Sequence, residues 1–353
     1  LLRKKLHVIE KAVNEGIMIN KNKVDLSLPK TRKKRLLPSV LLFFLAPVFG
    51  EYLLGNLTLS QIILVPFIAP LYGGGALLIR EVTRRSGLGP ATMLILGVAY
   101  GLIEEGLVDQ MLFNRSYFTG QEQISGTYMP ALGMDAWLTI IVLAMHAIWS
   151  TCIPIILVEA LFPEFENKPW LNRKGLFFTA FIFIIGSVYL CYSSYLEKKF
   201  FASAPELIGT VVVVIVLITA AFTLCNRTRV LKTGFTPNPW IAGFISLAAS
   251  SLFMLTDMLY GWITVIVCLL LAFVFFTLIY FWSYRIGWGT MHRLAITGGG
   301  ILTYSWLGVF MEPETGSKMM IDYIGSAIFV LITITLLVVA IWKVYKYEMK
   351  SDM

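Results

Sequence analysis

Glu104 and Glu105 stand side by side in YGLIEEGLVDQMLF (Tyr100–Phe113), with Asp109 four residues beyond Glu105, inside a run apolar enough to cross a bilayer. His146 occupies a second such run, LAMHAIWSTCIP, and Ser150 follows it by one helical turn. Ionisable side chains inside a membrane are costly and normally face a bundle interior or a wet cavity. A carboxylate in such a place can take a proton from water, and a histidine can orient that water or stabilise charge. Glu51, on an earlier apolar run, and Tyr100, one turn before Glu104, complete the set of polar candidates. On an α-helix Glu105 and Asp109 share a face, whereas Glu104 is turned from Glu105 by about 100°. The stretch is therefore expected to present two acidic faces. Pro154 cannot donate to the carbonyl of Ser150 and so releases an acceptor beside His146.

The segments that must carry these residues read as membrane helices. The 353-residue chain is 57% hydrophobic and 14% charged, where soluble domains carry about a quarter charged residues. Apolar segments fall near 36–55, 61–80, 90–112, 135–161, 176–196, 206–225, 239–257, 262–283, 294–311 and 322–345. Most approach the ~20 residues that span about 30 Å as a helix. The segment 294–311 is the weakest, being short and rich in glycine at Gly298–Gly300. The expected fold is an all-α, polytopic transmembrane bundle of about ten helices.

Basic residues cluster in alternate loops: Arg80, Arg84 and Arg85; Lys168, Arg173 and Lys174; Arg227, Arg229 and Lys232; Arg285 and Arg293; Lys343, Lys346 and Lys350. Lys198 and Lys199 sit on the opposite side. The positive-inside rule then puts both termini in the cytoplasm and places Glu51, Glu104 and His146 in the outer half of the membrane. The domain reading is a basic cytoplasmic arm at 1–35, one transmembrane domain at 36–345, and a short cytoplasmic tail at 346–353. The location expected is the cell membrane, and the bilayer is the expected partner, with anionic lipid at the basic arm. Nucleic-acid binding is the poorer reading, because the rest of the positive charge is spread over short loops. The basic arm is too long, and too far from a small-residue cleavage site, to resemble a signal peptide.

Cys152, Cys191, Cys225 and Cys268 are isolated and show neither metal spacing nor a disulfide framework. Gly73–Gly75, Gly97 and Gly101 read as small residues for close helix contact. Arg80 and Glu81 read as interfacial, and Glu159 as a partner for a basic loop residue. Asp257 is placed near a helix end, and His292 in a loop on the far side from His146.

Two adjacent glutamates on one transmembrane helix, followed about forty residues later by an intramembrane histidine, resemble the CPBP family of intramembrane proteases. That family includes the CAAX-prenyl endopeptidases and bacteriocin-immunity-like proteins. The resemblance covers roughly Tyr100–Pro154. Its first motif continues to an arginine where this chain has Asp109, and its second places phenylalanine where this chain has Val142. A later histidine of the family has no counterpart among His7, His146 and His292. The resemblance implies that Glu104 activates water for attack on a peptide bond, with Glu105 in support and His146 orienting water or stabilising charge. The sequence leaves the cofactor unknown. Glu104, Glu105 and His146 could supply three metal ligands, although neighbouring glutamates on one helix are awkward partners. The same acidic cluster suits a transporter or receptor for a small solute, cation or proton. A scaffold that binds another protein through the long loop 113–134 is a third reading.

Overall fold

The computed structural model describes residues 32–118, 125–225, 231–313 and 317–351, and within them the chain is an all-α bundle of ten helices. These are α1 (32–52), α2 (Leu59–Arg85), α3 (Pro90–Val108), α4 (Ala136–Leu161), α5 (Arg173–Lys198), α6 (Ala204–Thr223), α7 (Pro239–Met258), α8 (Trp262–Ser283), α9 (Thr290–Phe310) and α10 (Met320–Ser351). A hairpin of β1 (Tyr128–Met129) and β2 (Met134–Asp135) folds the long loop between α3 and α4. Most of the basic arm, with its expected lipid contact, lies outside the described residues, as do Arg227 and Arg229. Helix α10 runs on through residues 346–351 without a break.

Eight of the ten helices are long and apolar enough to cross a membrane. The apolar part of α1, Leu36–Tyr52, is shorter, and α9 falls outside the eight. Helix α9 gives up hydropathy for close backbone contact. A Cβ on Gly299 would lie 2.6 Å from the Gly243 carbonyl oxygen on α7, and one on Gly300 would lie 2.5 Å from Ile153 Cδ1 on α4. Without a hydrophobic drive between helices in lipid, such contacts hold the bundle together.

Contacts between helix tips show the alternation that the basic loops imply. Ser60 at the start of α2 donates to Asp322 at the start of α10, at 2.9 Å. Lys343 near the far end of α10 donates to the Leu161 carbonyl at the end of α4, at 2.9 Å. Arg293 at the start of α9 reaches Glu166 just past α4, at 2.5 Å. The ends of α2 and α4, the start of α9 and the end of α10 therefore share one face, the basic face. Arg115 and Lys318 join Lys198 and Lys199 toward the opposite face.

Burial separates a centre from a periphery. Half to two-thirds of the apolar stretches of α2, α3 and α4 are buried, against 11–22% for α5 to α8. Phe177, Val212 and Phe273 are among many apolar side chains that α5, α6 and α8 turn outward, the surface a bilayer would cover. The helices carrying the polar candidates are thus the ones most enclosed by protein.

Candidate functional site

The polar candidates lie on local distortions of the central helices. Helices α1, α3 and α4 each contain a π segment: Val48–Tyr52 with Glu51, Ile103–Val108 with Glu104 and Glu105, and Met145–Cys152 with His146 and Ser150. These are all the π segments among the described residues. Such segments are rare and recur at functional sites. Prolines explain two of them. Pro47 directly precedes the segment in α1, and Pro154 follows the one in α4; each removes a backbone donor and loosens the helix around it. The carbonyl that Pro47 releases belongs to Phe43, and Gly73 of α2 packs straight onto it, leaving no room for a Cβ.

The widened turn in α3 overturns the expectation of two separate acidic faces. Glu104 and Glu105 converge on one imidazole. His146 Nε2 lies 2.5 Å from Glu105 Oε1, and His146 Nδ1 lies 3.1 Å from Glu104 Oε2. The first contact is a hydrogen bond, whereas the second is close without hydrogen-bond alignment. All three residues are buried, each at most 5% exposed. An imidazole held between two carboxylates is either doubly protonated or faces at least one protonated glutamate. The trio therefore shares protons within one site.

Glycines set this geometry. A Cβ on Gly101 would stand 3.1 Å from His146 Cβ, and one on Gly97 would stand 2.9 Å from Ala147 Cα, so α3 and α4 touch nearly backbone to backbone. Gly75 of α2 accommodates the Tyr100 ring in the same way, at 2.6 Å. Tyr72, Tyr100 and His146 form a triangle of rings, with centroids 5.9 to 6.4 Å apart. Tyr72 donates a very short hydrogen bond to Glu51 Oε1, and Asn56 donates to Oε2 at 3.3 Å. Tyr72 also lies in the electrostatic reach of Glu104, which ties the α1 carboxylate to the trio. A Cβ on Gly50 would touch both Ser150 Oγ and Tyr72 Cε1 at 2.8 Å, so Ser150 belongs to the same wall.

The structure thus gathers Glu51, Tyr100, Glu104, Glu105, His146 and Ser150. Asp109 stands at the rim. It is half-buried, with Oδ1 accepting from the Met111 amide at 3.1 Å and Oδ2 accepting from the Tyr117 hydroxyl at 3.4 Å. Asp257 is exposed on a short turn and takes no part. His292 sits in the first turn of α9, bound to the Pro237 carbonyl at 2.9 Å and stacked on Trp288.

Two tyrosines of the site are additions to the sequence reading, Tyr72 and Tyr304. Tyr304 of α9 is fully buried and stacks on Trp149 at 4.4 Å, while Trp149 Nε1 donates to the Gly300 carbonyl. Glu51 acts on the Tyr304 hydroxyl electrostatically. Each tyrosine neighbours a glycine triplet, Gly73–Gly75 or Gly298–Gly300. That pairing is the one signal that could have drawn attention to them.

Several polar atoms here make no hydrogen bond among the described residues: Tyr100 Oη, Glu104 Oε2, Glu105 Oε2, His146 Nδ1 and Tyr304 Oη. Buried polar groups are almost always paired, so a concentration of exceptions marks a place that handles a ligand, water or protons. A metal fits the donor set less well. Both imidazole nitrogens face carboxylates, and no group of three or more His, Cys, Asp or Glu among the described residues has metal-holding geometry.

A second buried cluster lies at the basic face. Arg80 donates from Nε to Glu159, from one terminal nitrogen to Glu81 and the Lys168 carbonyl, and from the other to the Phe165 and Glu166 carbonyls. Its guanidinium also lies 3.6 Å over the Trp170 ring. Arg84 grips both oxygens of Glu159. Arg80 and Glu81 are completely buried at the basic face, where the segment after α4 folds back over them. Glu159 pairs with Arg80 and Arg84 of the first basic cluster, as expected of a basic partner, although both sit within the last turns of α2.

A family model described as an uncharacterized membrane protein family matches residues 40–348. Neither the curated proteins nor the solved structures contain a match to this chain.

Proposed function

Because the chain belongs to the uncharacterized membrane protein family matched by its residues 40–348, its chemistry has to be read from the site, and we propose a CPBP-like intramembrane hydrolase with Glu104 as the base. It is a multi-pass membrane protein; the reaction is the proposal. The observation that carries it is the difference within the trio: Glu105 is hydrogen-bonded to His146 Nε2, while Glu104 Oε2 lies 3.1 Å from His146 Nδ1 without hydrogen-bond alignment, beside the Tyr100 ring. In this reading Glu104 takes a proton from water as the water oxygen bonds to the substrate carbonyl carbon. The same proton then passes to the leaving group as the scissile bond breaks. His146, oriented by Glu105, holds the charge that Glu104 gains and loses. The unpartnered Tyr100 and Tyr304 hydroxyls are available as donors to a developing oxyanion.

Purified protein in lipid, incubated with a peptide library, is expected to cleave. Glu104→Gln should lower that cleavage by about 10²- to 10⁴-fold, the usual contribution of a general base. Equal turnover by the variant would sink the mechanism.

The link from Glu51 through Tyr72 to the trio favours one other reading, proton- or cation-coupled transport, since a line of acidic groups on several helices suits an ion path. Uptake into proteoliposomes driven by a pH gradient, and lost in Glu51→Gln, would support it. Absence of flux across a broad solute and cation panel would remove it.

A further inference from the structure

Asp109 lies between the buried trio and the outer end of α3. It lies four residues past Glu105, where α3 ends and the backbone turns at Gln110 with φ of 61°. Gln110 fixes that turn by accepting from the Ala202 amide at 2.6 Å. A left-handed non-glycine residue costs energy and is kept where the surroundings hold it. On the inner side, Asp109 and Glu105 act on each other electrostatically, and Glu105 Oε2 is more than nine-tenths buried without a hydrogen bond among the described residues. On the outer side, Asp109 Oδ2 accepts from the Tyr117 hydroxyl, whose ring lies under the Lys198 ammonium at 4.6 Å.

This end is open. Asp109 and Tyr117 are only half-buried, and Phe113, Asn114, Arg115 and Ser116, the four residues just before Tyr117, line a cleft of about 480 Å³ together with Glu206. Elsewhere the trio is shut in. Gly106 packs against Thr210 of α6 so closely that a Cβ would fall 2.8 Å from its methyl group, and Gly101 does the same against α4. The other ionisable groups facing Asp109 are Glu104, His146 and Cys191 of α5.

We infer that Asp109, with Tyr117, forms the proton path between the buried Glu105–His146 pair and water on the face opposite the basic loops. Protonated Asp109 gives its proton to the Glu105 carboxylate, directly or through one bridging water. Tyr117, itself partly exposed beside that cleft, passes the replacement proton in from solvent, so one proton crosses and no electrons move. This role rests on reading Glu105 and His146 as a proton-handling pair, and it holds for hydrolysis and transport alike.

The chain contains three histidines, which makes the test clean. The full chain, labelled with ¹⁵N-histidine and held in lipid nanodiscs, reports the solvent exchange rate of the His146 ring N–H, assigned by its loss in His146→Gln. Asp109→Asn should slow that exchange by roughly tenfold or more, one proton-transfer group being worth about 10²- to 10⁴-fold. Asp109→Glu should restore the rate, and Tyr117→Phe, which keeps the ring, should give an intermediate one. Unchanged exchange in both Asp109→Asn and Tyr117→Phe overturns the path. If Asp109→Asn does not fold, Tyr117→Phe decides alone: slowing supports the path and an unchanged rate rejects it. A chain that cleaves peptides but exchanges independently of Asp109 and Tyr117 loses the path and keeps the hydrolase reading. A chain that cleaves nothing but shows the slowing does the reverse.

Discussion

Two clusters of buried charge lie in this bundle, and they differ in how completely their polar atoms are used. At the basic face, the five N–H donors of Arg80 meet five acceptors, and both oxygens of Glu81 and of Glu159 receive donors. Only Arg85 Nε and Thr83 Oγ1, neither of them on Arg80, Glu81 or Glu159, are left over there. In the central cluster, five polar atoms on Tyr100, Glu104, Glu105, His146 and Tyr304 have no hydrogen bond among the described residues. Burial alone does not separate the two, since both are closed off from solvent. Saturation does. A saturated network fastens helices, whereas an unsaturated one has capacity left for a substrate, water or a proton.

The largest test of that difference removes a saturating partner. Glu159→Ala leaves Arg80 and Arg84 buried without their shared carboxylate. Breaking a buried pair from one side costs about 3–5 kcal/mol, so the variant should unfold at markedly lower denaturant or temperature in lipid-detergent mixtures. A loss below ~1 kcal/mol would show that the basic-face cluster is not a structural staple. Glu104→Gln should show the reverse pattern. Cleavage or proton exchange should collapse, while stability moves by no more than about 1 kcal/mol, because the contact of Glu104 Oε2 with His146 Nδ1 lacks hydrogen-bond alignment. Equal destabilisation by both substitutions would erase the distinction.

The contrast also explains what was legible in the sequence. Ten apolar segments, the alternation of basic loops, and the pairing of Glu104 and Glu105 with His146 follow from hydropathy, charge and helix length, which are local properties. The π segments do not. They arise where a helix yields to its neighbours, and Ile103–Val108 contains no proline to announce the change. An α-helical count therefore put Glu104 and Glu105 on different faces, although they share an imidazole. The enclosure of Arg80 and Glu81 was not legible for a similar reason: nothing in the residues near them shows that Phe165, Glu166, Lys168 and Trp170 close over the helix end. Tyr304 lies more than 150 residues from the rest of the site and enters through the packing of α9 alone.

A smaller effect tests whether the central geometry is held by glycine contacts. The Cβ of Gly75→Ala would fall 2.6 Å from Tyr100 Cε2 and 2.8 Å from Cδ2, a rigid ring that cannot swing aside without leaving the Tyr72–His146 triangle. Overpacking of this kind costs typically about 1–3 kcal/mol. Activity or exchange should fall with it, since the displaced ring borders Glu104. Full activity with only a stability loss would mean that the triangle is packing and not part of the site.

The smallest predicted effect has the opposite sign in the two clusters. Tyr304→Phe keeps the stack on Trp149 and removes a buried hydroxyl that has no hydrogen bond among the described residues. Deleting a polar group whose desolvation is uncompensated should leave stability unchanged or raise it, by up to about 1 kcal/mol. Trp170→Phe is its counterpart at the basic face. That change deletes an indole N–H donating to the Phe165 carbonyl at 3.1 Å and weakens the surface under Arg80, so it should cost roughly 1 kcal/mol or more. Two aromatic-to-phenylalanine substitutions would then move the unfolding midpoint in different directions. Such a result fits a molecule in which one cluster has its hydrogen bonds in place and the other holds them in reserve. If Tyr304→Phe were the more destabilising of the pair, its hydroxyl would have to be a structural partner, and the central cluster would count as a second staple.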